Sequence, residues 1–190
     1  MDRKRVWRWI RINTFINKGK KVRYIRKKNI FAHFGEKSSY APRKIPLYSD
    51  LISIGDNVRI AADVTFIPHD MIHAMLNNHT SGEYKGYREY IGCIKIENNV
   101  FVGSESVILA DVHIGSNVII GAGTLVNKDL EGGYVYAGVP ARKICTFEEF
   151  VEKRRKAVNY PEEFSRSGDS VGSEFSKWMW ADFEKRHPQG

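Results

Sequence analysis

The chain has 190 residues, enough for one domain with one or two appended elements and too few for a second large one. Hydrophobic residues make up 42% and aromatics 12%, which excludes wholesale disorder; no apolar run approaches the roughly 18 residues of a membrane span, and two cysteines, Cys93 and Cys145, make neither a disulfide framework nor a metal motif. The net charge of +8 is uneven: residues 1–44 hold 15 Lys/Arg against two acids, whereas residues 45–190 hold 15 against 20.

The basic start, Met1-Asp2-Arg3-Lys4-Arg5, is followed by no apolar signal core, so a cytoplasmic location is expected. Val6, Trp9, Ile10 and Phe15 fall near helical spacing and predict a helix over 6–16. Such a helix packs on its own domain or on a neighbouring subunit, or residues 1–18 make weak contact with a membrane surface. Packing is the expected role, and no nucleic-acid partner is expected. Ile45, Leu47, Leu51 and Ile52 read as a degenerate first turn of the repeat that follows.

From Ile54 every sixth residue is large and apolar: Ile54, Ile60, Phe66, then Ile96, Val102, Ile108, Ile114, Ile120 and Val126. Four positions later stand Val58, Val64, Asp70, Val100, Ser106, Val112, Val118, Thr124 and Leu130, small or aliphatic in every case but Asp70. A period of six fits one short strand and one corner per repeat. Gly55, Gly103, Gly115 and Gly121 follow the large residue and are expected to permit the corner's backbone. Three strands make an 18-residue coil, and stacked coils bury a continuous core. The repeat breaks at 71–93, a polar, Gly-containing stretch expected to project as a loop.

After Gly132-Gly133 a helix is expected from Thr146, with Glu149 completing a capping box and Pro161 bounding it. Residues 165–173 read as a Ser/Gly-rich linker, and Phe175, Trp178, Met179 and Phe183 mark a last helix over 174–186. Three parts follow: a partly helical basic segment at 1–44, a repeat domain at 45–145 and a helical extension at 146–190.

Segments such as Ile54-Gly55-Asp56-Asn57-Val58 and Ile114-Gly115-Ser116-Asn117-Val118 resemble the hexapeptide-repeat acyltransferases. Val126-Asn127-Lys128-Asp129 and Ala137-Gly138-Val139-Pro140-Ala141-Arg142 resemble the end of the prism in the galactoside, maltose and polysaccharide O-acetyltransferase branch. The resemblance implies a mainly β fold: a left-handed parallel β-helix, a triangular prism, assembled as a homotrimer with active sites between subunits. Handedness comes from the resemblance alone, because parallel crossovers are otherwise almost always right-handed. It further implies acetyl-CoA as acyl donor and a histidine base where the loop leaves the coil, which matches His69 in Thr65-Phe66-Ile67-Pro68-His69-Asp70. Ser104, Ala122, Asn127, Lys128 and Arg142 match positions that contact the cofactor in the family, although Asn127 stands where threonine is common.

The residues fit that chemistry. A hydroxyl acceptor needs a base, and neutral imidazole supplies one near neutral pH. Asp70 breaks the small-residue rule beside His69 and is expected to orient the imidazole. Lys128 and Arg142 are suited to phosphate. The expected function is acetyl-CoA-dependent O-acetylation of a sugar hydroxyl, in capsule or surface-polysaccharide synthesis, with a glycan or small-molecule acceptor and no metal ligand. The alternatives are N-acetylation of an amino sugar, a trimeric β-helix carbonic anhydrase built on His69, His73 and His113, and a non-catalytic β-solenoid.

Overall fold

The computed structural model describes residues 6, 7, 10, 11, 14, 18–79, 86–157, 160, 161, 163, 164 and 171–188. Most of the helix expected over 6–16 and residues 165–170 of the expected linker lie outside the described residues; Val6, Trp7, Ile10, Arg11 and Thr14 are helical. The chain forms two compact units, Met1–Val151 and Glu152–Gly190.

The first unit is a three-sided parallel β-helix. One side stacks β1 (His33–Phe34), β3 (Ile52–Ile54), β6 (Ile94–Ile96) and β9 (Val112–Ile114). The second stacks β2 (Ser39–Tyr40), β4 (Arg59–Ile60), β7 (Val100–Val102), β10 (Val118–Ile120) and β12 (Tyr134–Ala137), with β13 (Arg142–Thr146) antiparallel at the edge. The third stacks β5 (Thr65–Ile67), β8 (Val107–Leu109) and β11 (Leu125–Val126). Pairing keeps the six-residue positions in register: Phe34, Ile54, Ile96 and Ile114 form one column. Tyr40, Ile60, Val102, Ile120 and Tyr136 form the second, and Phe66, Ile108 and Val126 the third.

All nine large positions are buried, as are eight of the nine that follow four residues later; Asp70 alone stays half-buried. Each buried Val, Leu, Ile or Phe among them contributes about 1.5–3 kcal/mol of burial. The prism begins earlier than residue 45, because β1 and β2 of coil one pair with β3 and β4. Lys37 and Ser38 fill a corner there in place of the recurring Asn-Val pair, which hides the repeat from a periodicity reading.

The glycines after the large positions act differently from expectation. A Cβ at Gly103 would run into the backbone of Gly121 and Ala122 on the next coil, so space rather than a left-handed φ demands glycine. The left-handed corners instead fall at Asn57, Asn99 and Asn117, with φ of 53°, 59° and 58°. Asparagine tolerates that region better than most residues. Its amides repay the choice: Asn57 Nδ2 donates to Asn99 Oδ1 and Asn99 Nδ2 to Asn117 Oδ1, both at 3.0 Å.

Helix α1 (Lys18–Lys27) packs on coil one through Lys21 and Ile25. Lys21 Nζ donates to the carbonyls of Ala41 (3.1 Å) and Pro42 (2.7 Å). Burial, then the nearby Arg43 charge, lowers its pKa to about 8. The expected capping box forms at the far end of the prism. Thr146 N–H donates to Glu149 Oε2 at 2.8 Å and Glu149 N–H to Thr146 Oγ1 at 3.1 Å, opening a helix at Phe147–Lys156. In the second unit, the helix Ser173–Arg186 sets Phe175 in an aromatic cluster with Tyr160 and Phe164.

Candidate active site

The chain leaves the prism after β5 and returns at β6, and its two arms are clipped together. His69 and Ile91 form an antiparallel bridge, Asp70 N–H donates to Tyr90 O at 3.0 Å, and Gly92 N–H donates to Pro68 O at 2.9 Å. Between the arms runs α2 (Ile72–His79). Asn77 ties this helix to the return arm, accepting from Tyr87 N–H at 3.1 Å and donating to Tyr87 O at 2.9 Å.

The clip stations Glu89 beside His69. His69 Nδ1 lies 3.1 Å from Glu89 Oε1, with the two side chains 20% and 27% exposed. The carboxylate sits off the N–H axis, so the buried Nδ1 has no aligned hydrogen-bond acceptor. Tyr48 completes the cluster. Its ring meets the imidazole edge-on at 5.2 Å, and its hydroxyl donates to Glu89 Oε2 at 3.1 Å. That hydrogen bond, aided by burial and the carboxylate's charge, raises the Tyr48 pKa above the usual phenol value. Tyr48 reaches this place from a left-handed turn, φ 52°, at the end of coil one. A cavity of about 620 Å³ opens beside His69, lined by Tyr40, Lys44, Ile45, Leu47, Val64 and Phe66 among others.

Asp70 faces elsewhere. Its Oδ1 accepts from Ile72 N–H at 3.1 Å, so it caps the start of α2, and the carboxylate beside the imidazole is that of Glu89. Glu89 lies twenty residues along the chain from His69 with no periodic signal, and only the pairing of the loop's arms would have pointed to it. The remaining histidines are dispersed. His73 lies on α2 with a buried, unpartnered Nδ1, His79 is exposed at the end of that helix, and His113 on β9 meets Glu97 Oε1 at 3.0 Å on the outer face. Among the described residues no three His, Cys, Asp or Glu side chains cluster so as to hold a metal.

At the other end of the prism, Lys128 and Arg142 come together with Lys143 around a cavity of about 280 Å³. Asp129 and Glu131 share its wall, and Glu131 Oε2 accepts from Lys143 Nζ at 2.6 Å. Ser104 and Ala122 stack on successive coils, where Gly123 N–H donates to Ser104 O at 2.8 Å. Asn127 is exposed and does not line the cavity.

A family model described as bacterial transferase hexapeptide (six repeats) matches residues 93–128. Over 127 residues the chain is 33% identical to the protein named Putative acetyltransferase YvoF of Bacillus subtilis (strain 168), covering 65% of this chain and 66% of that one. The chain belongs to the hexapeptide-repeat transferase family. Another hexapeptide-repeat relative is Galactoside O-acetyltransferase of Escherichia coli (strain K12), 40% identical over 115 residues, or 59% of this chain and 52% of that one. The chain thus spans between about half and two thirds of the length of these two curated relatives. A solved galactoside acetyltransferase in complex with coenzyme A superposes with a TM-score of 0.54 at 26% identity, covering 91% of this chain and 92% of that one. The fold shared with such hexapeptide-repeat transferases is the left-handed parallel β-helix. Among the described residues no helix is long and apolar enough to cross a membrane.

Proposed function

We propose that the protein is an acetyl-CoA-dependent O-acetyltransferase that acetylates a sugar hydroxyl by direct transfer, with His69 as general base. The observation that carries this reading is the His69–Glu89–Tyr48 cluster, whose histidine lines a cavity of about 620 Å³. With Nδ1 turned to Glu89, Nε2 is left to face the acceptor. The carboxylate stabilises the imidazolium that forms when Nε2 takes the hydroxyl proton. The acceptor oxygen bonds to the thioester carbonyl carbon, the carbon–sulfur bond breaks, and the proton passes from His69 to the departing thiolate. No acyl-enzyme is required.

Acetyl-CoA as donor is supported by the coenzyme A in the solved galactoside acetyltransferase and by this chain's own residues. Lys128, Arg142 and Lys143 supply cations for phosphates, and the small side chains at Ser104 and Ala122 leave room along the coil. A sugar acceptor is supported by the name of the 40% identical relative. The same reading has the enzyme act in the cytoplasm as a cyclic homotrimer whose clefts lie between subunits. Light scattering of the purified protein should give three times the 21.8 kDa chain mass; a fully active monomer would break the shared-cleft part. The decisive experiment measures thiol release from acetyl-CoA with a panel of galactosides, maltosides, amino sugars and fragments of capsule and surface polysaccharide. Acceptor-dependent thiol release with an ester in the product is expected. An amide product, or no release with any acceptor, defeats the reading.

A further inference from the structure

Helix α1 has two faces of opposite character. Lys21 and Ile25 are buried, and the contacts of this face run along coil one. Lys21 Nζ meets the carbonyls of Ala41 and Pro42, while Arg26 donates to Gly35 O and pairs with Glu36 at 3.1 Å. Coil one is the first rung, so α1 covers the N-terminal end of the prism. The opposite face carries Lys20, Arg23 and Lys27, spaced i, i+3 and i+7, with Lys28 just beyond. All four are exposed.

This surface is almost purely cationic. Residues 18–44 contain ten Lys/Arg and a single acid, Glu36, which is already paired with Arg26. Arg23, Lys27, Lys28 and Lys37 are exposed, and none is in an ion pair among the described residues. Upstream, Trp7 is 68% exposed and Ile10 38% exposed, with Arg11 exposed beside them. Cations alone would suit any polyanion. Cations preceded in the sequence by an exposed indole and an exposed aliphatic side chain suit a surface with both negative charge and an apolar layer beneath it. A nucleic-acid backbone offers the charge and no such layer for Ile10.

We propose that the outer face of α1, together with Trp7 and Ile10, is a docking surface for an anionic lipid membrane. The cations settle among the headgroups while Trp7 and Ile10 enter the headgroup–acyl boundary. The cations substituted to test it, Arg23, Lys27 and Lys28, line no part of the cavity beside His69, whereas Lys44 and Val6 do, so the inference stands or falls separately from the acetyl-transfer reading.

The test is co-sedimentation of the full chain with phosphatidylcholine vesicles made with and without one third phosphatidylglycerol. Binding is expected only with the anionic lipid. It should be lost on going from about 0.1 M to about 1 M salt, which shortens the Debye length from about 10 Å to about 3 Å. The combined Arg23→Gln, Lys27→Gln and Lys28→Gln variant should bind on the order of a hundredfold more weakly, since each cation near the surface multiplies binding several-fold. Its thiol release with a soluble acceptor should match the parent, and circular dichroism should report an unchanged fold. Trp7→Ala should weaken binding several-fold without altering the charge. Parent protein that stays in the supernatant overturns the proposal, as does a triple variant that sediments like the parent. Tighter binding to duplex DNA than to vesicles at equal phosphate concentration also overturns it.

Discussion

The coils over 94–131 and those over 30–70 belong to the same prism, yet only the later ones are regular. In the later coils every side of the prism carries a strand, and Ile94, Ile96, Val102, Ile108, Ile114, Ile120 and Val126 are essentially inaccessible. In coil one the third side is missing: residues 45–47 form no strand, and Pro46 there has no N–H to donate. The third sheet therefore starts only at β5, and the cavity lined by Ile45, Pro46 and Leu47 opens over Phe66 and His69. Tyr48 and Glu89 meet His69 in the same irregular region. The regular coils supply rigidity, and the proposed chemistry gathers where the repeat lapses.

The difference can be broken from either side. His69→Ala should lower turnover by roughly 10²–10⁴-fold, the range for a lost general base, while acetyl-CoA still binds in titration calorimetry. Retention of most activity would remove His69 from the mechanism. Ile108→Ala, in the regular part, should cost about 2–5 kcal/mol in urea unfolding and leave turnover of the folded fraction near the parent value. Glu89→Gln should lower kcat by roughly 10–100-fold with little change in acetyl-CoA affinity, whereas Asp70→Asn should cost far less because that carboxylate caps α2. Equal losses in the two variants would undo the assignment of Glu89 as the positioning residue.

The smallest effect concerns Lys21. Its folded pKa, about 8, lies below the ordinary 10.5, so between those values the unfolded chain holds a proton that the folded chain has released. Stability from this site should be lowest below pH 8 and rise across that window. Comparing urea midpoints of the parent and Lys21→Met from pH 7 upward isolates the slope. A difference between the two that does not change with pH would show that the ammonium is not held in a desolvated site.

The same contrast explains what could be read in advance. Nine apolar residues at a spacing of six were enough for the prism because each strand of the regular coils obeys one rule. The capping box at Thr146 and Glu149 was legible because both of its bonds are local. Coil one was hidden by Lys37 and Ser38, which replace the Asn-Val corner, although β1 and β2 pair normally. Asp70 stood out as a rule break, but its neighbour in sequence is not its partner in space. Glu89 and Tyr48 reach His69 from twenty residues after it and twenty-one before it, distances that no local pattern encodes.

The two backbone bonds that close the base of the loop have a consequence for inheritance. Because Asp70–Tyr90 and Pro68–Gly92 seal the exit and entry points, the pairing of Ile52 with Ile94 is indifferent to how many residues lie between them. Doubling the length of such a loop costs only about 0.6 kcal/mol in closure. Residues 71–88 can therefore be traded, lengthened or shortened as a cassette while His69, Glu89 and the prism keep their places. Under the proposed function, descendants of one gene would vary this cassette while inheriting the same His69–Glu89 pair.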